Sequence, residues 1–414
     1  MLRIKSDFTK NVLKLFSGTT LANGLTILIL PILTRLYDKA DFGNFQLLVS
    51  TIMIFSVVSS LKYEMAIVLP SDENEADHMV VLSLIVLVIT TLFFAALFFL
   101  GGDIFLNLLN ARNLKPYVFL ISIGIFFSGL WQSVQYILIR KKEFGILSRN
   151  KVYQSSVTQG GAVALGVFSP SFLGLYISQM AGYLVAAILI LKRKRIVWKE
   201  IRYENLKKFA VKHKKFPLIN TFMVFLNTLS LQLPVFMFSR YFNAEVVGLY
   251  MIANRVVNAP VSLLGKSVSQ VYFQAASEAC NLGGNKLLKI YKKTVKQLAG
   301  IGIIPVIVIL FGAPVLVRLF LGEEWEEAGT YMQIIIIWVY FQFINMPISS
   351  TYSVMNRQEV GFYLILISLV VRFLAMFLFN SNPIEMLLAV SISAAAFYAT
   401  YNLSIYYFIK RLKL

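Results

Sequence analysis

The chain has 414 residues, 58% of them apolar and 14% charged, with a formal net charge of +19. An average soluble domain is about half apolar and about a quarter charged; here the charges sit in short islands between apolar runs of about 20 residues, the length of a helix that spans a bilayer core. This excludes a soluble enzyme, a disordered chain and a DNA-binding domain, and the single cysteine, Cys280, excludes a disulfide framework and a cysteine-based metal site.

Twelve spans are predicted in chain order: Val12–Thr34, Phe42–Leu61, Met79–Leu100, Tyr117–Ile139, Val152–Phe168, Phe172–Leu191, then Leu218–Ser239, Val246–Val271, Gln297–Val317, Tyr331–Thr351, Val360–Phe379 and Met386–Ile409. Residues Met1 to Lys5 lead straight into the first of them, with no small-residue cleavage site, so a retained helix is expected rather than a signal peptide. The fifth span carries Gln154, Ser155, Ser156, Thr158 and Gln159 and is expected to be shielded from lipid. The expected fold is therefore all-α and polytopic.

Lysine and arginine placement sets the orientation. With the N-terminus inside, 31 of the 39 basic residues lie on the inner side. Only six, Arg35, Lys39, Arg112, Lys115, Arg240 and Arg318, lie on the outer side, and two, Arg255 and Arg372, lie within spans. Both termini are thus expected in the cytoplasm, with the positive charge facing anionic inner-leaflet lipid rather than nucleic acid. The most basic connection, residues 192–217, reads as a cytoplasmic linker between a six-helix bundle at 1–191 and another at 218–414. Across it one short repeat is visible: LTRLYDKADFGNF at Leu33–Phe45 and FSRYFNAEVVGLY at Phe238–Tyr250, offset by 205 throughout. It pairs Arg35 with Arg240 and Gly43 with Gly248, each copy forming the outer turn between the first two spans of its half. Two such halves in the same orientation are the parallel-repeat arrangement of transporters whose site forms where the repeats meet.

A charge near mid-bilayer is costly and generally faces a cavity. Arg255 is nine residues into its span, about 14 Å deep, and Arg372 is seven residues from the outer end of its own, about 11 Å deep. Arg255, Asn258, Ser262, Lys266 and Ser269 fall within an arc of about 80° on one helix face, a polar stripe suited to a wet cavity; the competing assignment is a buried seam between helices. Asn23 with Thr19 and Thr26, Ser128 with Gln132 and Gln135, and Asn227 with Asn220 mark further polar faces that either line a cavity or bond a neighbouring helix. Glu64, two residues from Lys62 and just past the second span, is the carboxylate nearest a span and a candidate for a cavity mouth or for ion coupling, as are Arg35 and Arg240. His78 and His213 read as solvated loop residues, Trp131 and Trp338 as packing, and Trp325 as an interfacial anchor of the solvated outer turn Gly322–Gly329. No catalytic, metal-binding or phosphate-cradling pattern is present, so neither enzyme activity nor a cofactor is expected. A cationic interior with no carboxylate calls for an anionic cargo.

The chain resembles the polysaccharide (O-antigen-type) flippases, relatives of the multidrug and toxic-compound extruders. The likeness runs through SGTTLANGLTILILPILTRLYDKADFGNF, SLKYEMAIVLP, LPVFMFSRYFNAEVVGLYMIANRVVNAP and FLGEEWEEAGTYMQI. It implies two pseudo-symmetric helical lobes that alternate between inward- and outward-open states. It implies as cargo an undecaprenyl-pyrophosphate-linked oligosaccharide, moved from the inner to the outer leaflet of a bacterial plasma membrane, with glycosyltransferases and a polysaccharide polymerase as partners. The cationic cavity of that family maps onto Arg255 and Arg372. The related lipid II flippases typically carry two further spans. Drug export and lipid II transport are the alternatives, and a polysaccharide polymerase or ligase is disfavoured by the short outer loops.

Overall fold

The computed structural model describes residues 2–70, 72–193, 201–214, 216–355 and 357–412, the side chains of 2–16, 219, 262–264, 266–267, 270 and 281 excepted. The described residues form helices without strands. In order these are α1 (Leu2–Leu36), α2 (Lys39–Ser56), α3 (Tyr63–Ala66), α4 (Glu73–Leu108), α5 (Val118–Arg140), α6 (Phe144–Phe168), α7 (Phe172–Leu191), α8 (Tyr203–Lys212), α9 (Thr221–Tyr241), α10 (Ala244–Asn281), α11 (Gly284–Leu321), α12 (Glu326–Ile348), α13 (Thr351–Val354), α14 (Gln358–Leu378) and α15 (Pro383–Arg411). Each predicted span overlaps one long helix. Among the described residues nine helices are long and apolar enough to cross a membrane; α2, α6 and α10 are not among those nine.

Local chemistry sets the boundaries. Asp38 caps α2 by accepting the Asp41 N–H at 2.7 Å, Asp72 caps α4 through the Glu75 N–H at 3.0 Å, and Asn382 with Pro383 behind it starts α15. The second predicted span stops short of Leu61: α2 ends at Ser56, and the chain then turns through Leu61 and Lys62, both left-handed at φ 48° and 59°. Pro314 inside α11 has no N–H for the Leu310 carbonyl, and the Gln333 side chain of α12 supplies one instead at 2.6 Å. Trp325, expected at an interface, is instead 1% exposed in the turn before α12, because the short helix at 323–325 folds it inward.

The chain divides into two compact units, Met1–Gly248 and Leu249–Leu414. The division falls within α10, beyond the basic stretch, so that α9 and the first turn of α10 belong with α1–α8. Their packing on α2 accounts for this. Ser50 of α2 donates to Gln232 Oε1 of α9 at 2.8 Å, and Ser239 donates to the Leu109 carbonyl at 2.6 Å. The repeated glycines make the closest approach. A Cβ on Gly43 would collide with the Ala244 carbonyl, and one on Gly248 would collide with the Lys39 carbonyl. Residues 39 and 43 thus meet 244 and 248 reciprocally, and the 205-residue repeat is a physical contact.

Elsewhere in the first unit the polar α6 is a seam. Ser155 donates to the Ala22 carbonyl of α1 at 2.9 Å, Asn150 donates to the Ala186 carbonyl of α7 at 2.8 Å, and Ser155, Thr158 and Gln159 are buried. Gln132 of α5 bonds Ser56 at 3.2 Å and Ser128 at 3.1 Å, and Trp131 stacks on Tyr183. At the turn-bearing end of this unit Asp41 accepts the Phe172 N–H at 2.6 Å; burial, ahead of the Asp38 charge, raises its pKa above the usual carboxylate range.

The two histidines are not solvated. His78 is fully buried: its Nδ1–H donates to the Asn74 carbonyl at 2.7 Å, and its Nε2 accepts the Arg202 N–H at 3.2 Å. His213 and Lys212 both reach Glu75, at 3.4 and 2.6 Å. Together with Phe209 against the His78 ring these contacts seat α8 on α4. His78→Leu keeps the volume and removes both hydrogen bonds, a loss of about 1 kcal/mol or more. Limited trypsin digestion is expected to cut the exposed Lys207–Lys208 pair about fivefold faster in that variant; an unchanged rate contradicts the docking role.

In the second unit α10 and α11 are each 38 residues long. Their joined ends carry an apolar cluster of Tyr272, Ala276, Leu287 and Tyr291, covered by Tyr352 of α13 and Ile405 of α15.

Candidate functional site

In the second unit α11 and α15 pack on α12 and α14 packs on α15, and the two arginines within spans lie on α10 and α14. Arg255 sits on α10, half-buried, with neither a hydrogen bond nor an ion pair among the described residues. Asn258, one turn on, donates to the Asn254 carbonyl at 3.1 Å and to Asn254 Oδ1 at 2.7 Å, an amide pair that brings Asn254 into the polar face. Ser262 and Lys266 follow on the same helix, but their side chains lie outside the described residues. Ser269 bonds back to the Gly265 carbonyl of its own helix.

Arg372, on α14, is 7% exposed and lies within electrostatic reach of Tyr250 of α10 and Tyr398 of α15. All acidic residues of this unit sit near helix ends or turns: Glu278, Glu323, Glu324, Glu326, Glu327, Glu359 and Glu385.

Two further polar stripes lie in this unit. On α12, Trp338, Gln342 and Asn345 are spaced four and three, one helix face. On α15, which packs against α12, Ser391, Tyr398 and Asn402 are spaced seven and four. Asn402 donates to Asn345 Oδ1 at 3.2 Å and to the Tyr398 carbonyl at 2.8 Å. Trp338 Nε1, Gln342 Oε1, Ser391 Oγ and Asn402 Oδ1 are buried with no partner among the described residues. Buried polar atoms are nearly always bonded, and exceptions mark places that water, an ion or a ligand fills. The arginines were legible as charges within spans. The α12 stripe was not, because a tryptophan among isoleucines reads as packing.

The other candidates lie in the first unit. Glu64 is 2% exposed, held by Ser60 at 2.5 Å and by Lys62 at 3.3 Å, and so is sealed within the protein rather than open at a mouth. Arg35 is exposed and donates to the Pro31 carbonyl at 2.6 Å; Arg240 is exposed in the last turn of α9, eight residues before Gly248. Asn23 is half-buried and Asn227 exposed. The Thr26 hydroxyl near Asn23 bonds the Ala22 carbonyl and is 3.4 Å from Ser155.

Nine long apolar helices among the described residues mark a multi-pass membrane protein. The fold is similar to that of a multidrug resistance MATE family transporter of the MOP superfamily in its inward-facing conformation, at a TM-score of 0.72 and 16% identity over 94% of this chain and 95% of that one. It is equally similar to the lipid II flippase MurJ in an inward closed conformation, at 0.73 and 17% identity over 96% and 90% of the two chains.

The chain belongs to the polysaccharide biosynthesis protein family, whose model matches residues 32–330. A curated relative, the teichuronic acid biosynthesis protein TuaB of Bacillus subtilis (strain 168), is 20% identical over 284 residues. That match takes in 67% of this chain, which spans only 57% of the relative's length.

Proposed function

We propose that the protein is a flippase, not an enzyme, with twelve spans in two six-helix lobes and both termini cytoplasmic. It moves an undecaprenyl-pyrophosphate-linked oligosaccharide from the inner to the outer leaflet of the bacterial plasma membrane for surface polysaccharide assembly. Family membership supports the polysaccharide context, and the fold shared with a lipid II flippase supports the mode of transport. The observation that carries the reading is Arg255, a half-buried guanidinium on α10 with no counter-charge among the described residues. Such a group is tolerated where an anion or water meets it.

In this mechanism the pyrophosphate is the part of the cargo that hydrocarbon rejects most strongly. Arg255 and Arg372 bind its oxygens by charge-assisted hydrogen bonds, for which the planar guanidinium is suited. Lys266 attracts it at the cytoplasmic side, Asn258 and Ser262 bond the adjoining sugar, and the lipid tail stays in the bilayer. An inside-negative potential favours outward movement of the anion by about 2.3 kcal/mol per charge per 100 mV.

Arg255→Ala and Arg372→Ala are each expected to lower surface polysaccharide at least tenfold at unchanged membrane abundance. Arg255→Lys retains part of it, since the charge survives but the planar fork does not. Undiminished polysaccharide in both alanine variants removes the assignment.

A further inference from the structure

The first unit contains a concavity of mixed polarity, part of whose lining lies eight to twelve residues before Arg255. It lies beside the glycine crossing, at the end that carries the α1–α2 and α9–α10 turns, and measures about 240 Å3. Four asparagines line it, from three separate stretches of chain: Asn44 of α2, Asn110 and Asn113 of the turn after α4, and Asn243 before α10. Ser239 and Phe242 also line it, with Gly43, Leu47, Ala111, Ala244 and Val247 as the apolar part of the wall.

The hydrogen bonds are unevenly used. Asn113 Nδ2 donates to Asn44 Oδ1 at 3.0 Å, Asn110 Nδ2 donates to the Phe242 carbonyl at 3.3 Å, and Asn243 Oδ1 accepts the Val246 N–H at 3.0 Å. Each amide therefore commits one end to the framework. The Asn44 and Asn243 amino groups and the Asn110 and Asn113 carbonyl oxygens make no hydrogen bond among the described residues; Asn110, Asn113 and Asn243 are exposed, so these donors and acceptors are open to solvent and to a ligand alike.

No charged side chain lines the crevice. The nearby cations are directed elsewhere: Arg112 to Asn107 Oδ1 at 2.8 Å, and Lys115 to Asp103 at 2.6 Å. An anion gains nothing here, and an apolar ligand strands the amides. A neutral group that both donates and accepts matches all four, and vicinal hydroxyls on a compact ring do so. The volume, below the about 300–1,000 Å3 of drug-sized pockets, suits a single such ring.

We propose that this crevice is a carbohydrate subsite that holds one sugar residue of the cargo on the outer side of the membrane. The proposal rests on the flippase reading, in which the repeat turns face outward. The site then receives the glycan after the pyrophosphate has left the arginines, and it separates recognition of sugar from recognition of charge.

The test uses the full chain in cells that make surface polysaccharide and are fed radiolabelled N-acetylglucosamine. The photo-reactive residue benzoylphenylalanine is placed at Asn113, an exposed rim position, and separately at Asn44. It is also placed at Asn258 on the arginine-bearing α10 and at Phe168, which is 86% exposed on α6. Membrane abundance of every variant is measured alongside. After irradiation, sugar label on the purified protein at Asn113 or Asn44 is expected to exceed that at Phe168 at least fivefold. Label at Asn258 with only the Phe168 background at both Asn113 and Asn44 overturns the subsite and leaves the flippase reading standing. Background label at all four positions overturns both.

Discussion

Gly43→Val and Gly248→Val are each expected to lower surface polysaccharide at least tenfold and to destabilise the protein by about 1–3 kcal/mol, as overpacking does. Both glycines face backbone. The Cβ of residue 43 would fall on the Ala244 carbonyl, and that of residue 248 on the Lys39 carbonyl, with Gly43 N only 3.2 Å away. No side chain can swing aside, so the helices must part. The Ser50–Gln232 and Ser239–Leu109 hydrogen bonds then open with them. Gly43 on one helix and the small pair Ala244 and Gly248, four apart on the other, allow the two backbones to approach this closely. Gly24→Val is the control: nothing lies within 4 Å of a Cβ there. Thermal unfolding in detergent and the cell-surface assay should separate the crossing variants from it. Equal behaviour of all three variants contradicts the role given to the crossing.

Lys62→Met is expected to destabilise the protein by about 3–5 kcal/mol, the usual effect of stranding one member of a buried ion pair. Its partner Glu64 is 2% exposed and would keep, among the described residues, only the Ser60 hydroxyl. The double variant Lys62→Met/Glu64→Leu removes both charges, and most of the lost stability should return, because a well-packed apolar pair often replaces a buried ion pair without penalty. Thermal unfolding in detergent reads both. A single variant as stable as the wild type shows that the pair contributes little to the fold.

The helical plan was legible in the sequence for a simple reason. A bilayer imposes a length of about 20 residues, and runs such as Met79–Leu100 meet it without help from tertiary context. The glycine repeat was legible because both copies kept the residue their reciprocal contact requires. Arg255 and Arg372 stood out because a charge in an apolar run is rare. What stayed hidden depends on partners remote in the chain. His78 reads as a polar loop residue until Arg202 supplies the N–H that its Nε2 accepts. Glu64 reads as a mouth residue until the turn at Leu61 and Lys62 folds it inward. The placement of α9 with the earlier helices follows from its packing on α2, which no local pattern encodes. The four-asparagine crevice draws on three separate stretches, none of them unusual alone.

The lengths of α10 and α11 carry a consequence for what holds the protein together. At 1.5 Å per residue each runs about 57 Å, against a hydrocarbon core of about 30 Å. With the α9–α10 turn on the outer side, as proposed, the cluster around Tyr272, Leu287 and Tyr291 falls beyond the inner edge of that core. There the aqueous phase itself drives apolar side chains together, as it cannot between helices immersed in acyl chains. One molecule thus obeys two solvents: urea or cold should loosen this hairpin tip first, while the segments steeped in oil keep their arrangement.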